Sequence, residues 1–283
     1  MSRPDKKAHI YTPSNVSELL SVRKAHPRSV PFAGGTFLMS GFSDSMPAGE
    51  ILFLGSVPDL SRLSRTESYL EIGSCVTLER LLSLRRYLGK RALFSAIETL
   101  GTAPIRASAT IGGNIGLASK TVNLLPILYL LETRIEIRKS GGSSWVPIRK
   151  YYEGAEETGH DGIITRIRIP VARKNFERYE LICERSGLEP NALSFCAVAD
   201  IHKEGILSSM HCAFCVQGAG VIRDMEMESI IEGKKLPLYR KDLTRAVESL
   251  EAALEALPTP VLSIRKHQMI GLLKDTLAGL GEE

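Results

Sequence analysis

Ala33-Gly34-Gly35-Thr36 and Thr110-Ile111-Gly112-Gly113-Asn114 are the two stretches that decide how this chain is read. A residue without Cβ lets the backbone approach a ligand closely and turn at positive φ. Two successive glycines therefore make a loop whose N–H groups can converge on an anion. Thr36, Thr110 and Asn114 add side-chain donors, so the pair of loops predicts a diphosphate gripped from both sides. No Gly-Lys-Ser/Thr follows the first loop, and neither loop reads G-x-G-x-x-G. A dinucleotide held here would lie outside the Walker and Rossmann patterns.

Composition narrows the classes. A length of 283 residues suits two domains or one large one, and 43% hydrophobic with 24% charged is ordinary for a globular protein. The net charge of +4 comes from basic residues scattered among acidic ones. Without a Lys/Arg block interleaved with aromatics, no nucleic acid partner is expected. No apolar run reaches the ~18 residues that span a bilayer, so no membrane partner is expected either. Met1-Ser2-Arg3-Pro4-Asp5-Lys6-Lys7 is polar and lacks a signal core, which makes a cytoplasmic location the expectation.

The five cysteines, Cys75, Cys183, Cys196, Cys212 and Cys215, are odd in number and read as reduced thiols. Cys212-x-x-Cys215 lies beside His211, but no second Cys/His pair stands at ligand spacing for a four-ligand zinc site. The surrounding Leu207-to-Gln217 segment reads as a strand, on which odd spacing sends the two thiols to opposite faces. His9, His26, His160, His202, His211 and His267 form no ligand or catalytic constellation. No metal site and no catalytic side chain is expected.

Outward from the glycine loops, the pattern alternates between strand and helix periods. Ala8 to Thr12 reads as a strand, then Asn15 and Glu18 as a capping box for a helix that stops near Pro27. Val30 to Phe32 is a strand that runs into the first loop, and Ile51 to Leu54 and Tyr69 to Gly73 are further strands. Thr77 to Tyr87 and Lys90 to Gly101 read as helices, with Gly101 as a terminator. Leu124 to Leu131 is almost continuously apolar and reads as a buried helix. Arg134 to Lys139 and Ile163 to Ile169 alternate as strands around the Gly141-Gly142-Ser143-Ser144 turn and a polar loop. Asn175 to Cys183, Ser194 to Lys203 and Ile206 to Val216 are strands, the last two joined at Glu204-Gly205. Leu243, Val247, Leu250, Leu254 and Leu257 form one helical stripe, and Ile264 to Leu280 is a second helix beyond Pro258 and Pro260. Mixed but segregated elements give an α+β class.

The order of these pieces resembles the FAD-binding medium subunit of molybdenum hydroxylases, the xanthine dehydrogenase and carbon monoxide dehydrogenase flavoprotein family. Pro31-Phe32-Ala33-Gly34-Gly35-Thr36 looks like that family's first flavin loop. Ile72-Gly73-Ser74-Cys75-Val76-Thr77-Leu78 resembles its Ile-Gly-Ala-x-Thr-x-Leu strand-to-helix junction. Ile105-Arg106 followed by Ala109-Thr110-Ile111-Gly112-Gly113-Asn114-Ile115 resembles its most specific signature. Ile163-Ile164-Thr165-Arg166-Ile167-Arg168-Ile169-Pro170 looks like the strand that closes the flavin domain, and Ser263-Ile264-Arg265-Lys266 resembles the Ser-x-Tyr-Arg-Arg of the C-terminal helices.

The resemblance implies a two-lobed FAD-binding domain of the vanillyl-alcohol-oxidase type over residues 1–171, with lobes of about 1–56 and 57–171. A small antiparallel sheet-and-helix domain over 172–283 would follow. It also implies an oxidoreductase subunit that passes electrons from the [2Fe–2S] clusters of a small subunit through FAD to NAD or another acceptor. A separate large subunit would carry the molybdopterin. The implied cofactor contacts are Ala33, Gly34, Gly35, Thr36, Phe37, Thr110, Ile111, Gly112, Gly113, Asn114, Asn123 and, through its main chain at the adenine end, Ile163. Arg106 would hold the second loop, and Arg185 matches a family arginine on the first strand of the C-terminal domain.

Several positions depart from the family pattern. Phe37 stands where Asp or another polar residue is usual, Asn123 where an Asp precedes Leu-Pro, and Leu181 near the place of a Lys. The family's Asp beyond the arginine falls around Glu189 to Asn191, where an apparent insertion blurs the register. A neutral Asn has one carbonyl oxygen to offer a ribose, where a carboxylate has two. The departures raise a second expectation, an assembly subunit of the same fold that has lost tight FAD binding. A self-contained oxidase with covalent flavin is disfavoured, because Gly34-Gly35-Thr36-Phe37 contains no His.

Overall fold

The computed structural model describes residues 9–40, 49–117, 122–153, 162–184, 189 and 191–280; Ala8, the stretch 1–7, His160 and Arg185 lie outside them. Strand β1 (His9–Tyr11) leads to helix α1 (Val16–Ala25), where Asn15 Oδ1 accepts the Glu18 N–H at 2.9 Å. The Glu18 carboxylate reaches back one residue further than a capping box does, accepting the Ser14 N–H and hydroxyl at 2.7 Å each. β2 (Val30–Phe32) runs through the first glycine loop into the single-turn helix α2 (Thr36–Ser40). With β3 (Glu50–Phe53) it completes a parallel sheet in the order β1-β3-β2.

β4 (Leu63–Arg65) and β5 (Tyr69–Gly73) follow, then α3 (Leu78–Leu82), capped by the Thr77 hydroxyl, and α4 (Arg85–Leu88). These two helices replace the single one that the sequence predicts from Thr77 to Tyr87. The Ser83 hydroxyl donates to the Arg80 carbonyl at 2.7 Å, a local bond that competes with helix continuation, and the helix stops there. α5 (Arg91–Glu98), α6 (Ala103–Ser108), α7 (Ile111–Gly116) and α8 (Leu125–Leu130) come next. β6 (Arg134–Lys139) pairs with β7 (Gly142–Pro147), so Gly142 to Ser144, which read as part of a turn, already belong to a strand. Their polarity hides them from an alternation test, because β7 is an edge strand. α9 (Ile148–Glu153) and β8 (Ile163–Pro170) close an antiparallel sheet ordered β4-β5-β8-β6-β7.

The last part contains β9 (Phe176–Ile182), β10 (Leu193–Ile201), β11 (Leu207–Val216), β12 (Gly220–Ile222), α10 (Met225–Ile231), α11 (Arg240–Glu255) and α12 (Ser263–Gly279). Its antiparallel sheet is ordered β12-β11-β10-β9.

The chain forms two compact units, each drawn from several segments. Met1–Leu84, Gly101–Ala118 and Glu132–Val171 contribute to the first, and Arg85–Leu100, Ser119–Leu131 and Ala172–Glu283 to the second. In the second unit, α10, α11 and α12 cover one face of the β12-β11-β10-β9 sheet through Phe195, Phe214, Leu250, Met269 and Leu273. α5 and α8 pack on the same sheet. The Ser194 hydroxyl, on the face opposite Phe195, donates to the Val122 carbonyl at 2.6 Å, and Glu177 Oε2 accepts the Ala92 N–H at 2.9 Å. Burial on both faces explains the unbroken apolar stretches Phe195 to Ala199 in β10 and Cys212 to Val216 in β11. Cys212 joins the core on the α10–α12 side, whereas Cys215, three residues on, faces away from it.

Candidate functional site

The first glycine loop is shaped by close approach. A Cβ on Gly34 would coincide with the Ser108 carbonyl oxygen and stand 3.3 Å from Ala109 Cα, and one on Gly35, at φ +67°, would enter the Phe32 ring. The loop is therefore pressed against the residues that lead directly into Thr110. The β5–α3 junction holds the second segment by main-chain bonds. The Ile111 N–H donates to the Val76 carbonyl at 3.1 Å, the Gly112 N–H to the Ser74 carbonyl at 2.9 Å, and the Leu78 N–H to the Ala109 carbonyl at 2.9 Å. A Cβ on Gly112 would stand 2.5 Å from Ser74 Cβ. Three sequence motifs far apart in the chain thus form one piece of backbone within the first unit.

The second segment is a helix start and not a loop. Thr110 is the N-cap of α7, its Oγ1 accepts the Gly113 N–H at 3.1 Å, and the Asn114 N–H donates to the Thr110 carbonyl at 3.0 Å. The amides of residues 111 to 114 are all committed inside the protein, so the expected convergence of N–H groups on an anion is not met at this segment. What it can offer a ligand is the Thr110 hydroxyl proton, the Asn114 carboxamide and the exposed Gly113. A Cβ on Gly113 would meet Thr110 Oγ1 at 2.9 Å and nothing else close by, which leaves its outer side open. In the first loop, by contrast, the Gly34 and Gly35 amides have no hydrogen-bond partner among the described residues.

Ala33 packs beside the small core of Leu19, Leu52, Leu54 and Ile163, while Thr36 and Phe37 open α2 and are partly exposed. Ile163, the first residue of β8, is buried in that core, so its main chain alone can face a ligand. Asn123 belongs to the second unit, where it is 1% exposed and its Nδ2 donates to Thr99 Oγ1 at 2.8 Å. The Thr99 hydroxyl donates in turn to the Ala96 carbonyl at 2.8 Å. Arg106 ties α6 to its surroundings: its Nε bonds Glu79 Oε2 at 3.1 Å and its Nη1 the Gly101 carbonyl at 2.8 Å. It braces the approach to Thr110 and is no solvated surface charge. Leu181 lies on β9 opposite Ser194, and the Glu189 carboxylate accepts the Glu184 N–H at 2.9 Å.

Ser74 and Val76, whose carbonyls anchor the second segment, are not legible as site residues in the sequence, because main-chain acceptors carry no residue-type signal. Cys75, between them, is buried, and burial pushes its thiol up to about 11, which keeps it from acting as a thiolate near neutral pH. Among the described residues no group of His, Cys, Asp and Glu is placed to hold a metal ion, and no helix is long and apolar enough to cross a membrane.

Residues 6–172 match the family model described as the FAD binding domain in molybdopterin dehydrogenase. The chain is 27% identical over 186 residues to a xanthine dehydrogenase of Emericella nidulans, covering 61% of this chain and 14% of that protein. It is 24% identical over 152 residues to aldehyde oxidase 2 of Cavia porcellus, 50% of this chain and 11% of that one. This chain therefore spans about one seventh or less of the length of these two relatives. In fold it is similar to a chain of CO dehydrogenase from Oligotropha carboxidovorans, with TM-score 0.78 and 19% identity over 99% of both chains. A chain of quinoline 2-oxidoreductase from Pseudomonas putida 86 gives TM-score 0.77 and 18% identity over 99% of this chain and 96% of that one. The residues present fit the diphosphate of FAD: the Gly34 and Gly35 amides, without a partner among the described residues, belong to the same backbone interlock as the exposed Gly113 and the Thr110 and Asn114 side chains. By its match over more than half of its length, the chain belongs to the family of FAD-binding domains of molybdopterin dehydrogenases.

Proposed function

We propose that this chain is the FAD-binding electron-transfer subunit of a molybdopterin-dependent oxidoreductase, lying between [2Fe–2S] clusters on a small partner subunit and NAD or another acceptor. The substrate would be oxidised at a molybdopterin centre on a large partner subunit. The observation that carries this reading is the interlock of Gly34 with Ser108 and of Gly112 with Ser74, which joins the two glycine motifs and supports a diphosphate site at the exposed Gly113 beside them. The fold match extends over 99% of a chain of CO dehydrogenase, which supports a part in an assembly of that kind.

When bound, FAD supplies the electron-accepting chemistry, and the protein's part is to bind and orient it. The Gly34 and Gly35 amides would donate to one side of the diphosphate, and the Thr110 hydroxyl and Asn114 carboxamide to the other. Gly113 would let the phosphate approach the main chain. The Ile163 main chain would sit at the adenine end. Purification from the native organism tests the reading. A large molybdopterin chain and a cysteine-rich [2Fe–2S] chain should accompany this one, and a lone monomer that oxidises a small substrate by itself would refute it.

A second reading, an assembly subunit without tight FAD, is favoured by two observations. Phe37 replaces a polar residue at the first loop, and the Asn123 carboxamide is engaged with Thr99 inside the second unit. It predicts a complex that assembles normally around a colourless subunit.

A further inference from the structure

Ser74 stands where the family pattern has Ala, and its side chain has no structural use in the protein itself. It is 3% exposed, and its hydroxyl oxygen is buried without a well-formed hydrogen bond among the described residues. Its main chain is fully engaged: the N–H donates to the Thr165 carbonyl at 3.1 Å and the carbonyl accepts the Gly112 N–H at 2.9 Å. The Cys75 thiol lies close enough to interact with this hydroxyl, but a thiol is a weak partner and leaves most of its hydrogen-bonding capacity unused. Leaving a hydroxyl buried and unpaired is unfavourable, whereas Ala at the same place carries no such cost.

Two features tie this hydroxyl to the candidate site. Ser74 Cβ lies directly beneath Gly112, where an added Cβ would stand 2.5 Å from it, so no side chain separates Ser74 from the second glycine segment. Thr165, whose carbonyl fixes the Ser74 N–H, lies two residues beyond Ile163 on β8, the strand whose start is assigned to the adenine end. Ser74 therefore sits between the two parts of the first unit that the FAD-binding reading assigns to the dinucleotide.

We propose that the Ser74 hydroxyl is an additional dinucleotide contact in this chain, donating its proton to a phosphate or ribose oxygen of bound FAD. The inference rests on the FAD-binding reading above. It makes Ser74 a compensation for the polar groups that the family pattern carries at the positions of Phe37 and Asn123. The hydroxyl is unsatisfied without FAD and satisfied with it, so its removal has effects of opposite sign on the two states.

The experiment uses the whole chain and its Ser74→Ala variant, with free FAD as the probe. Thermal unfolding is measured without FAD, and flavin fluorescence titration gives Kd. Removing an orphaned hydroxyl should raise the midpoint of the FAD-free protein by roughly 2–6 °C, and losing one hydrogen bond should weaken FAD binding about three- to tenfold. Ser74→Cys, nearly isosteric with a weak donor, should fall between the two in affinity. An unchanged Kd in Ser74→Ala, or a lower midpoint in its FAD-free form, overturns the proposal while leaving the FAD reading intact. Failure of the unmodified chain to bind FAD at all overturns both.

Discussion

Gly34 and Ser108 meet backbone to backbone, with no room for a β-carbon between them. The contact joins the first glycine loop to the last residue of α6, two positions before Thr110, and so sets where the two FAD-binding motifs stand with respect to each other. Gly34→Ala must displace main chain rather than the end of a flexible side chain. We expect it to destabilise the first unit by about 1–3 kcal/mol, the usual range for overpacking, and to lower FAD affinity at the same time. Urea unfolding and FAD titration on one preparation check both effects.

Asn123→Asp restores the family residue, yet its surroundings argue against a gain. The Thr99 hydroxyl already donates its proton to the Ala96 carbonyl, so it has none to give a carboxylate, and the Asn123 amide donor would be lost. The substitution should destabilise the second unit by roughly 1–3 kcal/mol, the range for an unsatisfied buried polar group. Chemical denaturation at neutral pH measures it, and a variant as stable as the parent with tighter FAD binding would restore the ribose role of this position.

Glu228 sits at the centre of a buried polar cluster in the second unit. Burial alone would raise its carboxyl, but hydrogen bonds from His211 and Arg223, the Arg223 charge and the Cys212 N–H outweigh it and hold the group below the usual carboxylate value. A depressed carboxyl stabilises the fold at pH above its unfolded value, and that stabilisation disappears as pH falls through the folded value. Glu228→Gln should therefore cost on the order of 2–4 kcal/mol at pH 7, because Arg223 loses its charge partner, and progressively less below about pH 4. Unfolding curves for both proteins between pH 3 and pH 7, a range of ~4 units around that transition, should converge at the acid end.

The thiols differ in reach. Cys196, Cys212 and Cys215 are buried, and burial drives all three well above the usual thiol range, Cys215 to about 12. Cys183 is partly exposed and raised to a smaller degree. Alkylation of the native protein at mildly alkaline pH should modify Cys183 first, with the remaining four reacting after denaturation, as peptide mapping will report.

Much of this arrangement is legible in the sequence. The Asn15 cap, the apolar stripe of α11, the Glu204-Gly205 hairpin and both glycine motifs follow from local patterns. Long-range placement does not. The apolar run at Leu124 to Leu131 announces burial but not that α8 lies on β10 and β11, because helix periodicity carries no address. The segment at Thr110 reads as a loop from its glycines, yet a hydroxyl cap makes it a helix start. The acceptors that anchor it are the carbonyls of Ser74 and Val76, which any residue could supply.

Binding of FAD against the bare backbone of Gly113 is tested most directly by equilibrium dialysis of FAD against the unmodified chain and Gly113→Val. Among the described residues the Thr110 hydroxyl alone stands close to a Cβ at Gly113, at 2.9 Å, so the variant should fold but with a thermal midpoint lowered by the displaced N-cap. The expected result is one non-covalent FAD per parent chain and none retained by the variant. Equal FAD retention by a folded Gly113→Val protein would contradict it.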